Sequence, residues 1–141
     1  MKIAKIAAAI TATLATTLMA SCFAADLTVE IKGLTSANGQ VYIALYDKAE
    51  GWMKGGFKNV DTAAKKDRVT YEFKDLPAGE YAISLYHDEN GNGKFDSNLV
   101  GMPIEPYGFS NDAMGNFGPP TFEQAKFKLD TGKKTVTLNL K

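Results

Sequence analysis

Along most of the chain, large apolar residues recur at every second position. Leu27, Val29 and Ile31 alternate with Thr28, Glu30 and Lys32; Val41, Ile43 and Leu45 alternate with Tyr42, Ala44 and Tyr46. Val69, Tyr71 and Phe73 follow the same rule with Thr70, Glu72 and Lys74. The rhythm returns at Tyr81, Ile83 and Leu85, at Ala125, Phe127 and Leu129, and at Val136, Leu138 and Leu140. Successive side chains of a strand point to opposite faces, so this period predicts six strands with one apolar face each. No stretch sustains a helical period; Thr62–Lys66 has the makings of a single helical turn.

The connections carry turn chemistry. Ser36-Ala37-Asn38-Gly39 holds an Asn-Gly pair, which predicts a hairpin between the first two strands. Leu76-Pro77-Ala78-Gly79 predicts a tight turn, and Asp130-Thr131-Gly132-Lys133 a third hairpin turn. Strands with one apolar face must bury it against another layer. The expected fold is therefore all-β: a single antiparallel β-sandwich of about seven strands.

Two segments exceed a minimal sandwich. Lys48–Asp67 carries Trp52, Met53 and Phe57 among glycines and lysines; Asp88–Phe122 is dense in Gly, Pro, Asn and aromatics. Loops this long in a compact domain tend to be functional. Trp52 and Phe57 are expected to fold over a sheet edge as a satellite cluster. Tyr107, Phe109, Phe117 and Phe122 are expected to form the buried core of the long excursion; exposed, such rings would stack on sugars or dock a partner.

Residues 1–24 depart from this plan. Lys2 and Lys5 precede an uncharged run from Ile6 to Ala20, the design of a secretory signal peptide with cleavage after Ala24. Met19-Ala20-Ser21-Cys22 also reads as a lipobox, which would anchor the chain through Cys22. Export, periplasmic or secreted, is expected, with residues 25–141 as one domain and no transmembrane span in the mature chain. That domain keeps 14 basic and 16 acidic residues and loses the one cysteine, which suits an oxidising compartment. The near-neutral balance supplies no field for nucleic acid. One histidine and no mature cysteine leave nothing for a structural zinc site.

The most specific chemistry lies in His87-Asp88-Glu89-Asn90-Gly91-Asn92-Gly93-Lys94-Phe95-Asp96. Counted from Asp88, side-chain oxygens fall at positions 1, 3, 5 and 9, as Asp88, Asn90, Asn92 and Asp96. Gly93 stands at position 6, and the Lys94 carbonyl at position 7. That is the first part of an EF-hand-type calcium loop, in which alternate oxygens of a tight coil turn onto a hard cation. Position 12 is Leu99, where a bidentate glutamate belongs, so a further oxygen must come from Glu105, Asn98, Glu89 or water. Low ligand charge predicts weak affinity, about 10⁻⁴–10⁻³ M. The alternative is a polar turn held by its own Asx bonds.

The runs Leu76-Pro77-Ala78-Gly79-Glu80-Tyr81-Ala82-Ile83, His87–Asp96, Gly101-Met102-Pro103-Ile104-Glu105-Pro106-Tyr107-Gly108-Phe109-Ser110-Asn111 and Phe117-Gly118-Pro119-Pro120-Thr121-Phe122 resemble the bacterial "domain of unknown function 2141" family. Gly39-Gln40-Val41 leading to Leu45-Tyr46-Asp47 fits its N-terminal half. The resemblance spans nearly all of the mature chain and implies an exported protein with no established activity. More loosely, the Leu-Pro-x-Gly-x-Tyr turn is similar to that of transthyretin-like (prealbumin-like) and collagen-adhesin B-type sandwich domains. Some of those bind calcium in a loop after the same strand, which implies Asp88, Asn90, Asn92, Lys94 and Asp96 here; the glutamate missing at Leu99 leaves that shell incomplete.

The leading expectation is an exported, non-enzymatic binding or structural module of the cell envelope. Calcium in the 88–96 loop would stabilise it, with a protein or glycan as partner. One rival is a carbohydrate- or peptide-binding protein using Trp52, Tyr107 and Phe109. The other is a hydrolase using Glu105 with Asp88 or His87. No Gly-x-Ser-x-Gly elbow accompanies His87, which the pattern places at the end of a strand as a structural residue.

Overall fold

The computed structural model describes residues 24–141. The expected leader, with Cys22, lies outside the described residues except for Ala24. The strands are β1 (Ala24–Leu34), β2 (Gln40–Tyr46), β3 (Lys58–Ala63), β4 (Asp67–Pro77), β5 (Gly79–Asp88), β6 (Tyr107–Phe109), β7 (Phe127–Leu129) and β8 (Gly132–Asn139). A single-turn helix, α1 (Phe122–Ala125), precedes β7. No helix among the described residues is long and apolar enough to cross a membrane.

The strands form two sheets packed as a sandwich. One has the order β4-β1-β8; the other runs β3-β2-β5-β6, with β7 also paired to β5. Ladders are antiparallel except β1 with β8, which run parallel from Ala25↔Gly132 to Lys32↔Asn139. The two sheets clasp a core in which Leu27, Val29, Ile31, Val41, Ile43, Leu45, Ile83, Leu129 and Leu138 are fully buried. All nine are aliphatic, and each buried Val, Leu or Ile contributes about 1.5–3 kcal/mol of transfer free energy.

The turns expected to close hairpins do something else. β1 and β2 lie in different sheets, as do β4 and β5, and β7 and β8 pair with different partners. Each tight turn carries the chain across the sandwich. Alternation dictates which face is buried but not which strand lies alongside, and both sheets bury the same kind of face. At the first crossover Gly39 has φ +68° and lies so close to β5 that a Cβ would stand 1.8 Å from the Asp88 carbonyl oxygen. Only glycine fits that approach.

Two strands escaped the alternation. β3 has one large apolar residue, Val60, because it is the polar outer strand of its sheet, and it absorbs the start of the expected helical turn at Thr62–Lys66. β6 is three residues long and is recruited by pairing with β5. Ala125, read as strand, belongs instead to α1, where Thr121 and Gln124 close a capping box.

The outer face of the larger sheet is not a plain polar surface. Tyr46, Ala82, Phe122 and Ala125 form a second buried cluster there, with Trp52, Ala44 and Ala113 packed against it. Ser110 fastens this layer down. Its fully buried hydroxyl accepts from the Ile83 amide at 2.9 Å and donates to the Ala125 carbonyl at 2.6 Å.

Candidate functional site

The 88–96 loop springs directly from the end of β5. Asp88 is 1% exposed, and its carboxylate organises the coil. Oδ1 accepts from the amides of Gly91 at 2.8 Å and Asn92 at 3.2 Å, and Oδ2 from Gly93 at 2.7 Å. Gly91 and Gly93 both take positive φ, +70° and +76°, which bends the chain around that carboxylate. Asn90 and Asn92 accept from the amides two residues on, Asn92 and Lys94, each at 2.9 Å. Both asparagines donate to Asp96 Oδ2, at 2.6 and 2.7 Å. Asp88, Asn90, Asn92 and Asp96 thus share one polar coil, as their spacing predicts. Its Asx bonds are also those of the polar turn named as the alternative.

The missing twelfth position is resolved by the next few residues. Leu99 points fully into solvent. The chain instead makes a small finger, closed by a bridge between Ser97 and Pro103 and by the Asn98 amide donating to the Met102 carbonyl. The return strand of the finger delivers Glu105 back to Asp96, whose amide donates to Glu105 Oε2 at 3.0 Å. Of the candidates for the further oxygen, Asn98 turns its side-chain oxygen into the finger, accepting from Val100 and Met102 and not joining the coil. Glu89 is turned to the hydroxyls of Ser36 and Thr35, which hold its carboxyl below the usual range. Glu105 alone is brought to the loop.

Glu105 is only 8% exposed, and its Oε1 is buried without a hydrogen-bond partner. Burial pushes its carboxyl above the ordinary range against the pull of the Asp96 amide, and the negative charges of Asp96 and Asp88 push it further. A buried, unpaired carboxylate oxygen facing two other carboxylates is costly unless a positive group joins it. No cluster of three or more His, Cys, Asp or Glu side chains arranged for a metal ion occurs among the described residues, so any shell here would draw on asparagine and carbonyl oxygens. That is hard-cation chemistry.

His87 is fully buried at the end of β5. Its Nε2 lies 2.7 Å from the Asn38 carbonyl, which accepts, so Nε2 carries the proton. It ties the first crossover to the root of the loop, a structural position.

The aromatic residues divide. Trp52 donates to the Pro120 carbonyl at 2.7 Å and packs on Tyr46, Phe109 and Phe122. It covers the sheet's outer face rather than an edge. Phe57 leans on Tyr81 and stays largely exposed. Phe109 and Phe122 are buried and Tyr107 half-buried, as expected of a loop core. Phe117 departs from that expectation: it is fully exposed with φ +57°. It stands in a tight bend, where a Cβ on Gly115 would lie 2.2 Å from the Gly118 carbonyl oxygen.

Sequence reasoning missed Ser110 and the partnership of Tyr42 with Tyr86, whose rings stack at 5.1 Å across β2 and β5. The alternation marked both tyrosines as outward-facing but gave no sign that they would meet.

No curated protein and no solved structure matches the chain. A family model described as an uncharacterized protein conserved in bacteria, DUF2141, matches residues 29–137, from within β1 to within β8 and across the whole polar loop. The chain belongs to that family.

Proposed function

We propose that this is an exported, non-enzymatic binding module in which a calcium ion rigidifies the segment from Asp88 to Glu105. The observation that carries the reading is the buried, unpartnered oxygen of Glu105 beside Asp96 and Asp88. The three carboxylates are not gathered on one point as the side chains stand. Closing on a cation, Asp88 and Asp96 would supply charge from the coil, Asn90, Asn92 and the Lys94 carbonyl the neutral oxygens, and Glu105 the further oxygen. A divalent cation would relieve the mutual repulsion of three carboxylates. The leader at residues 1–24, with Lys2 and Lys5 before an uncharged run, supports export. A hydrolase built on His87 is disfavoured by that residue's burial and by its bond to Asn38.

The test is a thermal melt of the mature chain in excess EDTA, in calcium and in magnesium. At about one hundred times Kd, binding to the folded state alone adds about 2.7 kcal/mol. For a domain of this size that is a rise of roughly 10 °C. The rise should be specific to calcium and absent in Asp88→Ala and Glu105→Gln. No rise with several millimolar calcium would reduce the loop to a polar turn.

A further inference from the structure

The outer face of β2, β3 and β5 holds an open groove of about 450 Å³, to which the 88–96 loop contributes Phe95. Tyr42, Tyr86 and Phe95 form one side of it; Asn59, Asp61 and Ser84 bring polar groups, and Met53 overhangs. Phe95 and Met53 are 42% and 46% exposed, large apolar side chains left in water at the rim. Phe95 packs on Tyr86 at 5.1 Å, and Tyr86 stacks on Tyr42, so the rings make a continuous ridge.

The lining excludes most ligand classes. Among the described residues no lysine or arginine lines the groove and Asp61 does, so phosphates, nucleotides and acidic polymers find no counter-charge there. The floor strand β2 is already paired on both sides, with β3 and β5, so an extended peptide lying in the groove finds no free backbone on its floor and could add a strand only outside it, at the outer edge of β3. An acyl chain calls for a closed apolar cavity, and this groove is open with an acid and an amide on its wall. What remains is a molecule with apolar C–H faces and many hydroxyl groups. Ring faces pack on the first, and carboxylate, amide and hydroxyl side chains pair with the second.

We infer that this groove is a binding site for a neutral glycan, seated against Tyr42 and Phe95 and hydrogen-bonded by Asp61, Asn59 and Ser84. The residues differ from Trp52, Tyr107 and Phe109, which are committed to packing the long excursion. Phe95 belongs to the 88–96 loop, so the groove borders the proposed calcium site; β2, β3 and β5 supply the rest of the lining except Met53 and hold it without a cation.

The experiment titrates the mature chain with cellotetraose, maltotetraose, chitotetraose and mannotetraose, and with polygalacturonate as the acidic control. Intrinsic fluorescence reports binding and backbone amide shifts locate it. Saturable binding of at least one neutral sugar is expected, in calcium and in EDTA alike, with shifts centred on Tyr42, Asp61 and Phe95. Tyr42→Ala should weaken it about tenfold. Asp61→Ala, at an exposed position far from the core, should also weaken it and serves if Tyr42→Ala fails to fold. The inference is overturned if no neutral sugar binds up to about 10 mM. It is equally overturned if the acidic polymer binds more tightly, or if both variants bind like the parent. Sugar binding with no calcium-dependent rise in melting temperature would sink the proposed cation site and leave the groove standing.

Discussion

The two faces of the larger sheet are made by the same two strands and do opposite things. Toward the core, β2 and β5 present mostly aliphatic side chains, Val41, Ile43, Leu45, Ile83 and Leu85, with Tyr81 the one ring among them, all buried. Outward they present Tyr42, Tyr46 and Tyr86, joined by Trp52, Phe95, Tyr107 and Phe109 in an unbroken series of ring contacts. The inner face is sealed by a second sheet. The outer one is covered by a loop over part of its area and open over the rest. Aliphatic side chains fill space efficiently but offer no directional contact. Rings carry apolar area together with edges, faces and hydroxyls, so they serve a surface that is buried in one place and available in another.

The largest effect should fall on the sealed face. Ile83→Ala is expected to cost about 3–4 kcal/mol in urea denaturation, since a fully buried side chain leaves a cavity between two rigid sheets. The layer over the outer face should respond less. Ser110→Ala leaves the Ile83 amide without its acceptor and is expected to cost about 2 kcal/mol. Loss of the near-ultraviolet signal of Trp52 at lower denaturant than global unfolding would show the excursion coming away from the sheet. A value as large as that of Ile83→Ala would mean that the two faces share one cooperative core.

The polar loop should show its charge in a pH series. Glu105 is pushed above the ordinary carboxyl range by burial and by Asp96 and Asp88, so the folded protein keeps its proton where the unfolded chain has released it. Its contribution is therefore favourable below the unfolded value and is lost as pH rises through the folded one. In EDTA, stability should decline over that window. Glu105→Gln should abolish the decline, and calcium should reverse it in the parent alone. A decline that Glu105→Gln leaves unchanged would place the strain elsewhere.

The smallest effect belongs to the open part of the outer face. Tyr42→Ala should cost about 1 kcal/mol, the worth of a stacked pair at a half-exposed position. A cost near that of Ile83→Ala would make the tyrosine ridge structural and remove the contrast between the faces.

Much of this molecule was legible in its alternation. Leu27, Val29, Ile31, Val41, Ile43, Leu45, Ile83 and Leu85 are buried as their spacing demanded, and a two-sheet sandwich follows. The spacing of Asp88, Asn90, Asn92 and Asp96 likewise announced a single polar coil, because those contacts span fewer than ten residues. Local pattern and local geometry coincide there. Partners in space were another matter. The Asn38-Gly39 turn, which read as a hairpin, crosses between sheets, since a tight turn serves either purpose and only the packing of Gly39 on Asp88 selects one. β3 and β6 carry little pattern of their own and exist because β2 and β5 offered unpaired edges.

By itself, then, the chain determined which side chains leave water and which oxygens converge within one short loop, since both follow from a residue's own chemistry and that of its near neighbours. Tertiary structure decided the order of the strands, the return of Glu105 to the loop through the Ser97–Pro103 finger, and the meeting of Tyr42, Tyr86 and Phe95. Those contacts join segments whose spacing in sequence carries no record of their distance in space.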